Sequence, residues 1–384
     1  MSTTLRGSTA IVGVGMCTVA TLPPESSPVD AMALAVADAL ADSGVLLSEI
    51  DGVFAAGLQL FMPTLSLCEY LNIKPRYTDS TQVGGGTFIA HLNHAQAAIA
   101  AGLCEVALIA YGSTQKSSGG KFASHSEPSP YEMPYRYPGP VAAYALIAQR
   151  HMHEYGTTRE QLAEVAVAAR RWAQFNSRAF DQTPLTVEDV LGSRTVASPL
   201  TVRDCCLVTD GAGVVIVTSA ARARDCRRPP VYVLGVGEAV THRSIAQMEN
   251  LVCTGASDSA HRAFQQARLT PDDVDVTQLY DAFTIMPIVF AEDVGFCAKG
   301  EGGAFLGGGR CEPGGAFPMN TNGGGLSFGH PGMFGIYTII ESALQLRGDC
   351  GLRQVRDAHV ALAHAPGGYM SSHSTAIFGT QEVL

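Results

Sequence analysis

Two side chains of this 384-residue chain stand where acid–base chemistry is possible: Tyr280 in YDAF and His330 in NTNGGGLSFGHPG. A tyrosine at the C-terminal end of an apolar strand can give or take a proton, but a free phenol titrates near about 10. As a base it needs a cation or a hydrogen bond to assist it, and His330 is the residue that could supply either. His330 lies between Gly329 and Pro331, behind the consecutive glycines Gly323 to Gly325. Each glycine inside a helix costs about 1 kcal/mol relative to alanine, so the run marks a turn or a close approach of backbone to something else. The same residues have ordinary readings: a strand-end tyrosine packs with its hydroxyl wetted, and a glycine-flanked histidine bonds its own loop. Asp281 reads as support for the loop or for the Tyr280 backbone. His364 and Tyr369 flank a Pro-Gly-Gly without an assignable direction, and His91, His94 and His151 sit in helix-like stretches with no ligand constellation, so no metal site is expected.

The ten cysteines offer no ready alternative. None forms a C-x-x-C pair, and Cys205 and Cys206 are adjacent, which suits neither zinc nor a disulfide framework. They read as buried thiols of a reducing cytoplasm, the expected location. With 46% hydrophobic and 16% charged residues, the composition is that of a globular chain with a large core. A net charge of −10 argues against nucleic acid or an anionic membrane as partner, and no apolar run is long enough to span a bilayer.

The elements that must position Tyr280 and His330 repeat along the chain. Residues 81–113 and 321–368 each carry a polar pair, three glycines, an amphipathic helix and an apolar strand, so Gly84–Gly86 are expected to superpose on Gly323–Gly325. A second echo begins at Asp30 and again at Asp258, each time a helix, a short acidic turn and a strand. Echoes in the same order indicate a duplicated α/β unit, with helices on the faces of sheets. The N-terminal half spans 1–221, the charged RARDCRRPP is the join, and the C-terminal half spans 229–384. An unpaired segment at about 114–200 opens with a polar loop, 115–140, and continues as helices, one of them capped by Thr157 or Thr158. Such an insertion either covers an active-site mouth or forms a dimer flap.

The duplication, YDAF, GHPG, the glycine pair Gly367–Gly368 and DCCLVTDGAGVVIVTS at 204–219 together resemble the thiolase superfamily, and within it the sterol-carrier-protein-x type, over essentially the whole chain. The resemblance implies a duplicated five-layer α/β/α/β/α fold, with helices of the two glycine units meeting between two sheets and an inserted loop and helical segment. It also implies a homodimer, for which the apolar EVALIAYG edge suits pairing across a two-fold axis. The departures carry more. A thiolase holds its acyl group on a cysteine at the turn before the first glycine-rich helix, where this chain has Val83. Its acid–base cysteine precedes the glycine pair of the last strand, where this chain has Ala365. Tyr280 replaces the first residue of a motif that in thiolases looks like NEAF and in sterol-carrier types HDCF.

The resemblance therefore implies chemistry other than thiolysis. Retro-aldol cleavage of a β-hydroxyacyl-CoA needs no acyl-enzyme: it removes the alcohol proton, stabilises the departing thioester enolate and returns a proton to its carbon. Tyr280 and His330 are the expected catalytic residues. Gly84, Gly85, Gly368 and Tyr369 are the expected substrate-binding residues, with backbone N–H groups near Gly84 and Gly368 serving the enolate oxygen. Thiolase-like chains with this double loss resemble the aldolases that shorten steroid side chains attached to CoA. That implies a steroid-like acyl group, no cofactor bound by this chain beyond the CoA thioester as substrate, and a small zinc-ribbon/OB-fold partner that contributes to acyl-CoA binding. Such activity is expected to survive alkylation of every cysteine unless that disrupts buried packing, and Tyr280→Phe to cost little stability. The alternatives are an inactive thiolase homologue scaffolding such a partner, an acyl-CoA acyltransferase-like enzyme, and a residual acyl-CoA hydrolase or decarboxylase.

Overall fold

The first helix starts where a short local code says it should. Ser27 N–H donates to the Asp30 carboxylate at 2.8 Å, and Asp30 N–H donates back to Ser27 Oγ at 3.2 Å, closing a capping box ahead of α1, Pro28–Ser43. The computed structural model describes residues 5–17, 19–119, 132–135 and 139–384. Most of the polar loop expected at 115–140 lies outside the described residues.

Strands β1 (Thr9–Met16), β2 (Gly52–Ala56), β3 (Tyr77–Asp79) and β4 (Val106–Ser113) alternate with α1, α2 (Pro63–Leu71) and α3 (Thr87–Ala100). The inserted segment supplies α4 (Pro140–Tyr155), α5 (Arg159–Ala173), which Thr158 caps, and α6 (Val187–Leu191). A ribbon of β5 (Thr195–Ala197) and β6 (Leu200–Thr201) follows, then β7 (Gly211–Ser219) and α7 (Ala220–Ala223). The remainder runs β8 (Val231–Val240), α8 (Ala256–Ala267), β9 (Val276–Leu279), α9 (Ile285–Val294), α10 (Gly302–Leu306), α11 (Gly335–Arg347), β10 (Val360–Gly367) and β11 (Ser372–Gly379).

Nine strands form one mixed sheet in the order β3-β2-β4-β7-β1-β8-β11-β10-β9. The duplication is visible in it. In β2-β4-β7-β1 the first pair is parallel and the next two antiparallel, and β9-β10-β11-β8 repeats that pattern. The two sheets expected from the resemblance are thus joined, but only where Ala10 and Ile11 pair with Tyr232 and Val231. Helix α1 packs on β1, β4 and β7, helix α8 on β8 and β11, and α3 and α11 pack on each other and on strands of both halves. These are the five layers.

Two details differ from the sequence reading. Strand β4 is an interior strand with both ladders occupied, buried along its whole length, so EVALIAYG is not an edge and cannot pair across a two-fold axis. Its unbroken apolar run reflects burial on both faces. Nor do the glycine runs superpose. Gly84–Gly86 leads directly into α3, whereas after Gly323–Gly325 a π-turn at Gly324–Phe328 and the His330 turn come before α11 starts at Gly335. Gly335 is the glycine at the matching helix start. A Cβ there would come within 2.1 Å of the Gly85 carbonyl, so the two helix N-termini meet only because it is glycine.

Candidate active site

Tyr280 directly follows β9, whose parallel register with β10 sets Leu279 beside His364, and its N–H donates to the His364 carbonyl at 3.0 Å. That register fixes the backbone from which the phenol reaches His330: Tyr280 Oη and His330 Nε2 are 2.8 Å apart, with the rings edge-on at a centroid distance of 5.6 Å. The Phe334 N–H, at the start of α11, donates to the same phenol oxygen at 3.2 Å. Both side chains are buried. Desolvation raises the Tyr280 phenol well above 10 and holds the His330 imidazole down at about 4. The pair is therefore neutral around pH 7, and His330 helps Tyr280 by a hydrogen bond and not by charge.

The three glycines ahead of His330 wrap a carboxylate. Gly325 N–H donates to Asp281 Oδ1 at 2.6 Å and Leu326 N–H to Oδ2 at 3.4 Å. A Cβ on Gly324 would fall 2.0 Å from Asp281 Oδ2, so only glycine lets the turn close on the acid. Burial pushes the Asp281 carboxyl up to about 7 against these donors. The next turn is held from both sides. His330 N–H donates to Thr209 Oγ1 at 3.0 Å; Tyr111 Oη donates to the Pro331 carbonyl and accepts from Met333 N–H at 3.0 Å. Tyr111 escaped the sequence reading. Its only signal is a phenol in the otherwise apolar run of β4.

The pair opens onto a cavity of about 770 Å³. Gly84, Gly85, Gly368 and Tyr369 all line it, with Val83 at the turn before α3. The glycines are explained first by packing. A Cβ on Gly85 would sit 2.6 Å from Tyr280 Cε2, and one on Gly84, whose φ is +91°, would sit 2.6 Å from Gly367 Cα. Ala365 is fully buried beneath this loop. His364 is not part of the cavity wall: its Nδ1 is 2.8 Å from Thr375 Oγ1, and its ring stacks on His373. His91, His94 and His151 engage Thr81, Asp79 and Glu292 respectively, away from the pair.

Two features of the wall were not foreseen. Tyr144 of α4 stacks on Phe283 at 4.4 Å and donates to the Gly368 carbonyl at 3.1 Å, so the inserted segment forms part of the cavity. Cys205 and Cys206 also line it. Burial pushes the Cys205 thiol up to about 12 and raises Cys206 further still, which keeps both as poorly nucleophilic thiols. Such thiols resist alkylation, and an adduct on either would intrude on the cavity, which is the buried-packing exception to the expected insensitivity.

Residues 237–380 match the family described as thiolase C-terminal domain-like. The chain is 40% identical over 237 residues to an acetyl-CoA acetyltransferase of Methanothermobacter thermautotrophicus, a match spanning 61% of this chain and 62% of that protein. It is 34% identical over 364 residues to a 17-hydroxy-3-oxo-4-pregnene-20-carboxyl-CoA lyase of Mycobacterium tuberculosis, covering 90% of this chain and 92% of the lyase. Among solved structures, the Ltp2-ChsH2(DUF35) aldolase superposes with a TM-score of 0.90 at 28% identity over all of both chains.

Proposed function

The chain belongs to the thiolase-like family that contains the mycobacterial lyase, and from that premise we propose that it is a carbon–carbon lyase cleaving a β-hydroxyacyl-CoA, with a steroid side chain as the acyl group, by retro-aldol reaction. The observation that carries this reading is the buried, neutral Tyr280–His330 pair on the cavity, and the resemblance that puts Val83, before α3, and Ala365, within β10, in place of a thiolase's two cysteines supports it.

The alcohol proton of the substrate passes to Tyr280 Oη as the phenol passes its own proton to His330 Nε2. The two heavy atoms are already at transfer distance, 2.8 Å. Neither group has to begin charged. As the bond between the α- and β-carbons breaks, its electrons form the thioester enolate and the β-carbon becomes a ketone or aldehyde. No hydrogen bond among the described residues uses the N–H of Gly84 or Gly85, and these are the donors proposed for the enolate oxygen. The proton then returns from His330 through Tyr280 to the enolate carbon, releasing a shorter acyl-CoA. Protons balance over the cycle, and no cofactor besides the CoA thioester is needed.

Acyl transfer, as in the acetyltransferase relative, would instead require a nucleophilic cysteine, and the thiols on the cavity are held protonated. We further propose that the chain works in the cytoplasm with a small zinc-ribbon/OB-fold subunit that helps bind acyl-CoA; the two-component name of the Ltp2-ChsH2(DUF35) aldolase supports a partnered assembly. It would pair with a second copy through the β3 edge, beside which Phe61 is 94% exposed and Met62 and Leu65 are also exposed. The reading is tested by offering the chain, with such a subunit, a β-hydroxyacyl-CoA and following release of ketone and shortened thioester. Consumption that depends on added free CoA would defeat it.

A further inference from the structure

Two buried histidines take no part in the chemistry above, and both lie behind the loop that closes one side of the cavity. That loop, 367–371, joins β10 to β11 and puts Gly367, Gly368, Tyr369 and Ser371 on the wall. It turns through two left-handed residues, Gly368 at φ +62° and Met370 at φ +56°, and only the first is a glycine. A methionine in that conformation is strained and keeps it only where its surroundings hold it. The carbonyls show what holds it. Ser371 N–H donates to the Gly367 carbonyl at 2.8 Å, and Thr241 N–H donates to the Ser371 carbonyl at 2.9 Å. The Gly368 carbonyl accepts from Tyr144, and the Tyr369 carbonyl lies 3.1 Å from His242 Nε2. The strained residue itself is held by His373, whose Nε2 is 2.9 Å from the Met370 carbonyl.

A carbonyl only accepts, so His373 Nε2 carries the proton, and the order of the remaining bonds follows. His373 Nδ1 is then bare and accepts the Nε2–H of His364 at 3.3 Å. His364 Nδ1 is bare in turn and accepts the Thr375 hydroxyl at 2.8 Å. Thr375 Oγ1 lies 2.8 Å from Ser259 Oγ, so the chain of bonds connects α8 to the cavity loop. All four side chains are fully buried, and neither histidine lines the cavity. Burial lowers both imidazoles, His373 to about 4, so the chain is neutral around pH 7. We propose that His373 is a positioning residue: its bond to the Met370 carbonyl holds the cavity loop in the shape that binds the acyl-CoA thioester. This rests on the reading above for the class of substrate and not for the reaction.

The test compares His373→Asn with His373→Gln, each assembled with the small subunit. The glutamine amide nitrogen stands where Nε2 does and reaches the Met370 carbonyl. The asparagine amide stops where Nδ1 does, which keeps a partner for His364 and leaves none for Met370. The probe is a CoA thioester whose acyl chain lacks the β-hydroxyl, so that it binds without being cleaved. At matched folded concentration His373→Asn should bind it about tenfold more weakly than wild-type, the factor that one lost hydrogen bond takes from the population of the held loop, and His373→Gln within about threefold of wild-type. A role confined to stability lowers the folded fraction and leaves the affinity of the folded protein alone. Equal affinities of the two variants therefore overturn the assignment, as does a glutamine variant weaker than the asparagine one. Wild-type protein gives a second measurement that no failure to fold can spoil: the Ser371 amide should resist hydrogen exchange as the amides of β10 and β11 do, and exchange as fast as an open loop overturns the assignment. A wild-type assembly that binds no acyl-CoA thioester defeats the substrate class and this role together. One that binds the thioester and cleaves no β-hydroxyacyl-CoA defeats the retro-aldol reading alone, and the affinities of the two variants still decide the role of His373.

Discussion

Tyr280→Phe removes one oxygen and conserves the rest of the ring. That oxygen is 2.8 Å from His330 Nε2 and accepts the Phe334 N–H at 3.2 Å, so its loss leaves two buried polar groups without their partner. Each unpaired group costs about 1–3 kcal/mol, and since water can enter the adjacent cavity the lower end applies, giving a destabilisation of about 2 kcal/mol in total. Little change in stability is therefore not what this geometry predicts. The catalytic effect is larger. Without the hydroxyl no atom passes the substrate proton to His330, and a positioned acid–base group contributes about 10²–10⁴-fold. The loss should appear in kcat with KM changed little, because the hydroxyl acts on the proton in flight more than on the bound ground state. Ketone release from a β-hydroxyacyl-CoA, by the wild-type and variant assemblies at matched folded concentration, measures it directly. Thermal unfolding of both reads the stability term. A variant that retains wild-type kcat would refute the relay, whatever its stability.

The pH profile follows from His330, whose imidazole is held at about 4. Protonation removes Nε2 as acceptor, so kcat/KM should be flat from about pH 6 to 9 and fall as pH drops below about 5. A fall centred near about 6.5, the value of a free histidine, would mean that the burial is not maintained. A step near 7 absent from Asp281→Asn would belong to Asp281, which burial raises to about 7. Cys206→Ala should keep kcat within about threefold, because a buried protonated thiol is no nucleophile; loss of turnover in Cys206→Ala would reopen acyl transfer. Phe61→Asp places a charge on the exposed apolar patch beside β3 and should shift a dimer to monomer in light scattering; an unchanged dimer would put the interface elsewhere.

How much of this was legible in the sequence depends on what kind of signal each feature leaves. The duplicated strand order is carried by long apolar runs and capped helices, and these are local. The alignment of the glycine runs was not recoverable. Gly84–Gly86 and Gly323–Gly325 look alike as letters but answer different neighbours: the first run makes room for the Tyr280 ring and the Gly367 backbone, the second for the Asp281 carboxylate. A glycine reports that a Cβ would collide and does not report with what. EVALIAYG was misread for a related reason, since a strand buried on both faces and an apolar edge waiting for a partner have the same composition. Tyr111, Tyr144 and Gln115 were missed because each lies in a segment whose pattern is satisfied without it, and only the fold brings Tyr111 to the turn after His330 and the other two to the cavity.

The same limit explains why the residue types of Tyr280 and His330 pointed to acid–base chemistry without fixing the charge state in which they would do it. Type and spacing suggested a phenol in need of help and an imidazole that could give it as a cation or through a hydrogen bond. Which of the two it does is decided by burial, which is a property of the assembled layers. Desolvation acts on both groups in the direction that disfavours charge, raising the phenol and lowering the imidazole, so the native pair is a neutral donor and a neutral acceptor. A tyrosinate stabilised by an imidazolium would need the opposite environment. A neutral relay also suits a reaction that moves one proton off an alcohol and later returns one to carbon. In the proposed relay the site would store no charge between the two events beyond the imidazolium itself, and the enolate formed in the same cavity would be the counter-ion that raises the imidazole's affinity for that proton at the moment it is needed.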